Sequence, residues 1–247
     1  MTQQVVLITG GTGAIGTAIC REFAKHDFTL VTNCHPTDQT RSESVVAELA
    51  ADGVQAHLCV FDVTDADACE TAIKKIEVEI GPINTVINAA GITRDAKLIK
   101  LEKAQWDDVI STNLDGVFNV TRQCIGPMTT RKYGRVINIS SVNGQRGQIG
   151  QTNYSAAKAG MTGFTKALAR EVARDGITVN SVSPGYVNSP MIEAVPDKVK
   201  TKLISEIPVG RFADPVEIAR AVGFLASRDS GYITGTDLSV NGGYHIA

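Results

Sequence analysis

The sequence predicts an α/β fold, a doubly wound parallel sheet of about seven strands with helices on both faces. Three observations lead there. Short β-rich runs alternate with longer helical patterns along the whole chain. Several runs, such as VVLI and VINI, are continuously apolar rather than alternating, as strands covered on both faces are. The first run also stops in a glycine cluster that opens a helical pattern.

In order, Val5–Thr9 is the first strand, and Ala14–His26 is a helix whose Ile15, Ile19 and Phe23 form one stripe. Thr29–Thr32 and Gln55–Phe61 are strands two and three. Asp65–Ile80 is a helix with Ile73, Ile76 and Ile80 in register, stopped by Gly81-Pro82. Thr85–Asn88 is the fourth strand. Asp107–Arg131 is a long helix, with a kink or break expected at Gly126-Pro127. Arg135–Ser140 is the fifth strand, and Asn153–Arg174 an alanine-rich helix ending at Asp175-Gly176. Thr178–Ser183 is the sixth. The stretch 184–214 holds four prolines and little periodicity, and reads as a small helical lid near 188–214. Asp214-Pro215 then caps a helix to Ser227, and Thr236–Val240 is the last strand. Right-handed βαβ crossovers join such strands. With no linker, repeat or low-complexity segment, residues 1–247 read as a single domain.

Composition narrows the function. Hydrophobic residues are 43% and charged residues 20%, ordinary for a globular chain, and a net charge of -2 argues against a nucleic-acid or anionic-membrane partner. The five cysteines form no C-x-x-C and no even framework, and the four histidines show no ligand spacing, so neither disulfides nor a metal site is expected. The start lacks the marks of a signal peptide and no apolar run approaches ~20 residues, which points to a cytoplasmic protein.

Two stretches carry chemistry. Gly11, Gly13 and Gly16 spell G-x-G-x-x-G between a strand and a helix, and Thr9-Gly10-x-x-x-Ala14-x-Gly16 is a second frame over the same residues. Either suits a nucleotide phosphate, because glycine clears the backbone and the helix start offers unpaired N–H groups. The alternative is a tight turn with no ligand. Further on, Tyr154 and Lys158 share one helix face just after Ser140-Ser141. Alone, such a pair is usually a solvated surface. At a sheet edge beside a phosphate loop it is a candidate acid, since a nearby ammonium lowers a tyrosine pKa.

Those residues, with Asp62-Val63, Asn88-Ala89-Ala90-Gly91, Asn113 and Pro184-Gly185, make the chain resemble the short-chain dehydrogenase/reductase family, a Rossmann-type fold, from end to end. Ala14 and Ala89 depart from the commoner glycine and asparagine. The resemblance implies Tyr154 as general acid, Lys158 as the residue that lowers its pKa and binds the nicotinamide ribose, Ser141 as the holder of the substrate carbonyl, and Asn113 as the anchor of a proton-relay water. It places Gly10, Thr12, Gly13, Ile15, Gly16, Asp62, Val63, Asn88 and Gly91 on the adenosine and phosphate side of a cofactor. Pro184, Gly185, Val187 and Ser189 fall on the nicotinamide side. In the Thr9-Gly10 frame, Gly11 and Gly13 become loop positions that keep the phosphates uncrowded.

Cys34 ends the second strand, where a carboxylate would favour NAD; His35 and Arg41 follow, and Asp38 counts the other way. The expectation is NADPH (NADP+), with surface solvation the plain reading of His35 and Arg41. Within the family, SSVNGQRGQIGQTNYS, GITRD and NGGYH resemble members that reduce acetoacetyl-CoA, next those that reduce 3-oxoacyl groups on a carrier protein. Gln148, Ile149 and Gln151, with Asp95 and Tyr186, are then candidates for the acyl pocket, or the glutamines serve only loop hydrogen bonds. Where carrier-protein reductases would carry two basic docking residues, this chain has Lys132 and, at the second, Asp175, which favours an acyl-CoA substrate. The resemblance also implies a homotetramer. A catalytically dead nucleotide sensor would lack the serine, tyrosine or lysine, and all three are present.

Overall fold

The computed structural model describes residues 4–26, 28–193 and 195–246. The strands are β1 (Gln4–Thr9), β2 (Phe28–Cys34), β3 (Ala56–Val60), β4 (Ile83–Asn88), β5 (Gly134–Ile139), β6 (Ile177–Pro184) and β7 (Asp237–Val240). They form one parallel sheet in the order β3-β2-β1-β4-β5-β6-β7. The winding reverses between β1 and β4, and the two chain crossings there open a crevice at the strands' carboxyl ends.

Between the strands lie α1 (Ala14–Phe23), α2 (Gln39–Ala51), α3 (Ala66–Glu79), α4 (Lys103–Ile110), α5 (Gly116–Arg131), α6 (Val142–Arg146) and α7 (Thr152–Val172). Then come α8 (Pro190–Glu193), α9 (Asp197–Glu206) and α10 (Pro215–Ala226). Residues of α3, α5 and α7 bury Ile73, Ile76, Val120, Met128 and Val172 against Val5, Leu7, Val86 and Val136 on one sheet face. On the other face α1 and α10 bury Ile19, Phe23, Ile218 and Val222 against Val6, Ile8, Ile87 and Ile137. Successive strand residues therefore enter opposite cores, which is why the runs are apolar throughout. Helices α8 and α9 form the insertion expected near 188–214.

One local expectation is corrected: the chain does not break at Gly126-Pro127. Helix α5 runs through Pro127 to Arg131 without ending. Pro127 costs one hydrogen bond in the last turns, while Cys124 and Met128 on either side of it are fully buried. The irregularity falls earlier, at a π-helical turn over Ser111–Asp115 that separates α4 from α5. Helix α2 had no visible stripe because only Ser42 and Leu49 of it are buried.

A polar network ties the central strands. Asn88 Nδ2 donates to Asn138 Oδ1 at 2.8 Å and to Thr121 Oγ1 at 2.9 Å, and Asn138 Nδ2 donates to Thr165 Oγ1 at 2.8 Å. Asn138→Ala leaves Asn88 and Thr165 short of partners inside the core, at a cost of about 1–3 kcal/mol. Urea unfolding should show the midpoint falling with its slope unchanged.

Candidate active site

The first turn of the site is set by backbone geometry. Gly10 adopts φ +61°, and a Cβ there would come 2.8 Å from the Ala90 Cα. A Cβ on Gly16 would come 2.5 Å from the Gly10 carbonyl oxygen. Gly11 corrects the sequence reading: its missing side chain makes room for the Thr32 side chain of β2 rather than for phosphate. Gly13 is the residue that faces open space, with only the Gly10 oxygen, 3.3 Å away, near its would-be Cβ. It is also the N-cap of α1 and provides no side-chain cap, so the leading N–H groups of α1 lack a side-chain acceptor. That is a cradle for an anion.

The cradle opens into a cleft of about 750 Å³ that brings together Gly10, Thr12, Gly13, His35, Arg41, Asp62, Val63 and Gly91. His35 and Asp62 pair across it, Nε2 to Oδ2 at 3.3 Å, and His35 Nδ1 also meets the Thr37 hydroxyl at 2.7 Å. Burial works against the Asp62 charge, but the Thr64 backbone N–H and hydroxyl, with His35, hold its carboxyl below the usual range. Arg41 is exposed on the cleft wall. Ile15 and Gly16 lie behind the cradle, in the first turn of α1.

The reactive groups sit where β5 hands over to α6 and α7. Ser141 caps α6, its Oγ accepting from the Asn143 N–H at 3.1 Å. Tyr154 stands in the first turn of α7, and its N–H donates to Asn153 Oδ1 at 2.8 Å. Burial pushes the Tyr154 phenol up, a hydrogen bond with Ser141 opposes this, and the Asp95 charge adds to it. One turn on, Lys158 is 3% exposed, its Nζ donating to the Ile139 carbonyl at 2.7 Å and lying 5.6 Å from the Tyr154 ring centre. Burial drives the Lys158 ammonium down to about 7. The expected lowering of Tyr154 by this lysine is thus not what the protein alone displays. The lysine's hydrogen bond goes to the backbone, and burial weakens its charge.

The π turn explains Asn113. It turns the amide inward, where Nδ2 donates to the carbonyls of Val109 at 2.8 Å and Ile92 at 2.9 Å. Its Oδ1 is buried with no partner, and a Cβ on Gly91 would come 2.5 Å from that oxygen and 3.6 Å from Lys158 Nζ. Gly91 thus keeps open a polar gap between Asn113 and Lys158, where a water would find partners.

Other candidates are placed differently. The Asn88 side chain is spent in the core network, away from the cleft. Pro184 ends β6; the Gly185 N–H donates to the Val240 carbonyl at 2.9 Å, and a Cβ there would meet the Asn241 Cα at 2.9 Å. Val187 is buried and bridges Ala213, while Ser189 Oγ accepts from the Ile192 N–H at 3.4 Å. Gln151 joins two predicted pieces, donating to Asp95 at 2.9 Å and accepting from Asn143 at 2.9 Å. The Gln148 carbonyl accepts from the Gln151 N–H at 3.1 Å, and Ile149 projects outward, 85% exposed. Tyr186 meets the rings of Phe212 and Tyr244. Sequence reading missed Asn33, whose Oδ1 accepts from the Gly10 N–H at 3.4 Å, and Asn153, whose amide holds the Arg94 carbonyl at 3.0 Å. No spacing signal marks an asparagine that braces a distant loop.

The buried lysine makes a stability prediction. Its folded pKa, about 7, lies below the ordinary lysine value of 10.5, so the cost of burying its charge is fully present below pH 7, falls as pH rises and is gone above 10.5. Lys158→Met should therefore stabilise the unliganded chain by on the order of 4 kcal/mol at pH 7, shrinking to roughly 1 near pH 9.5. Urea titrations at the two pH values check this; a variant that is less stable at pH 7 contradicts it.

Comparison with known proteins agrees with this geometry. The chain is 51% identical over 240 residues to an acetoacetyl-CoA reductase of Allochromatium vinosum, covering 97% of this chain and 98% of that one. It is 49% identical over 246 residues to an acetoacetyl-CoA reductase of Cupriavidus necator, with 100% of both chains covered. A 3-oxoacyl-(acyl-carrier-protein) reductase of Haemophilus influenzae is 42% identical over 248 residues, again over 100% of both. Residues 4–200 match the family model described as short chain dehydrogenase. With its glycine turn, its tyrosine and lysine one turn apart and its full-length relatives, the chain belongs to the short-chain dehydrogenase/reductase family.

Proposed function

We propose that residues 1–247 act as one domain that reduces acetoacetyl-CoA to (R)-3-hydroxybutyryl-CoA with NADPH, a step toward polyhydroxybutyrate. The observation that carries the chemistry is Tyr154 and the buried Lys158 one turn apart on α7, with Lys158 Nζ held by the Ile139 carbonyl where β5 leads to the Ser141 cap of α6. The substrate rests on the full-length similarity to acetoacetyl-CoA reductases.

Bound NADPH supplies the hydride. The Gly10–Gly16 turn and the first N–H groups of α1 fit its pyrophosphate, with Asp62 and Val63 toward the adenine and Pro184 to Ser189 toward the nicotinamide. Asn88 supports this end from inside the core. Arg41 is the better partner for a 2′-phosphate, since His35 is engaged by Asp62 and Thr37. Ser141 holds the ketone oxygen by its hydroxyl, and Tyr154 delivers its phenolic proton to that oxygen. A phenol is protonated at neutral pH, so Tyr154 holds its proton before substrate arrives. Lys158 and the free Asn113 oxygen flank the gap through which a water returns the proton. Asp95, Gln148, Ile149, Gln151 and Tyr186 would line the acyl side.

A carrier-protein substrate is the second reading, favoured by the Haemophilus influenzae relative. Charge pairing counts against it. Lys132 is paired with Asp175 at 2.5 Å and Arg131 with Glu77 at 2.8 Å, so an acidic carrier would have to compete with these carboxylates. No helix among the described residues is long and apolar enough to cross a membrane. The working form we propose is a cytoplasmic homotetramer.

Tyr154→Phe should lower kcat by roughly 10²–10⁴-fold with acetoacetyl-CoA and leave NADPH binding in place. Stopped-flow and fluorescence titration separate the two, and parallel assays with a carrier-protein thioester rank the substrates. Arg41→Ala should raise KM for NADPH while leaving that for NADH unchanged; an equal rise for both would remove Arg41 from the phosphate site.

A further inference from the structure

Tyr244 lies beyond β7, and none of the roles above uses it. The tail that carries it is aimed by a tight turn. Gly242 and Gly243 adopt φ +63° and +82°, the Gly243 N–H donates to Asn241 Oδ1 at 3.0 Å, and the Asn241 amide donates to the His245 carbonyl at 2.9 Å. The turn presses on the exit of the lid. A Cβ on Gly242 would come 3.0 Å from Ile207 Cγ2 and one on Gly243 3.0 Å from Pro208, and the Val209 N–H donates to the Gly242 carbonyl at 3.1 Å.

From this turn Tyr244 reaches three elements. Its hydroxyl donates to Glu206 Oε2 at 3.1 Å, at the last residue of α9. Its ring stands edge-on to Tyr186, centres 5.5 Å apart at 62°. The Arg146 guanidinium covers the same ring at 4.1 Å. Arg146 ends α6, the helix that Ser141 caps. Tyr186 in turn meets Phe212, where the chain leaves the lid, with ring centres 5.9 Å apart. One side chain therefore joins the lid helix, the acyl-side tyrosine and the helix that holds the catalytic serine. Edge-on aromatic contact and a cation over a ring are directional, so the joint fixes orientation as well as distance.

We infer that Tyr244 is a positioning residue for the thioester substrate: it latches α9 and Tyr186 to α6 and so sets the width of the acyl entrance. The inference rests on the thioester-reductase reading. The three residues that the latch meets, Glu206, Tyr186 and Arg146, do not line the cleft that holds Gly10, Arg41 and Asp62, so it acts on substrate entry.

Tyr244→Ala should raise KM for acetoacetyl-CoA about tenfold, with kcat changed little and KM for NADPH unmoved. Amide hydrogen exchange over residues 197–207 should quicken in the same variant. Tyr244→Phe keeps the ring against Arg146 and Tyr186 and should restore KM, while exchange in α9 stays raised for want of the Glu206 bond. An unchanged thioester KM in Tyr244→Ala, a parallel rise in both KM values, or unaltered exchange in α9 overturns the latch. If the wild-type chain does not turn over acetoacetyl-CoA, the functional reading falls instead, and the exchange comparison alone decides the latch.

Discussion

A single ammonium placed out of water organises the catalytic corner. Lys158 is buried against β5, with one backbone carbonyl as its hydrogen-bond acceptor and no carboxylate beside it. Burying an unpaired cation is costly, and the surroundings are built to allow it. Gly144 has no side chain because a Cβ would come 2.8 Å from that of Lys158, so α6 and α7 close tightly over it. Ser140 Oγ donates to the Lys158 carbonyl at 3.0 Å and pins the helix to the end of β5. Gly91 and the Asn113 oxygen leave a polar opening toward Nζ. Such local cost is common where chemistry needs a poised group, and the sheet's two cores offset it.

The second organising fact is the reversal of winding between β1 and β4. It brings the Gly10 turn, the Asp62 loop and Gly91 to one crevice, although they lie on three separate crossovers. Polar side chains then brace the loops in pairs. Asn33 ties the Gly10 turn to the Phe61 carbonyl, Asn153 ties the Arg94 loop to α7, and Gln151 ties Asp95 to Asn143. The cofactor side and the acyl side are thus held by separate braces on one rigid sheet edge. A site supported in this way keeps its geometry without relying on loop packing alone.

Much of this was legible in the residues because it depends on local rules. Strands with both faces covered must be apolar throughout, glycine must stand where φ is positive, and a tyrosine and lysine four apart must share a helix face. What was misread depends on distant partners. Gly11 was taken as a phosphate-clearing residue, but Thr32 on the next strand is what occupies its space. Gly126-Pro127 reads as a kink or break, yet α5 continues unbroken through it, with Cys124 and Met128 buried on either side. The real irregularity, at Ser111–Asp115, contains neither proline nor glycine to announce it. The amide of Asn88, the residue next to the cleft-lining Ala89, is committed to Thr121 and Asn138, partners that no local spacing reveals.

By itself, then, the order of apolar runs and helical stripes determined the layered sheet, and the glycine turn with Ser141, Tyr154 and Lys158 determined the family of chemistry. Periodicity and backbone freedom are properties of neighbouring residues, so a linear reading reaches them. Only the folded chain decided where charges are placed: Lys158 buried with its pKa drawn down, His35 beside Asp62, Lys132 paired with Asp175. Charge state and charge pairing depend on burial and on residues tens of positions away. Those quantities exist only once the chain has closed on itself.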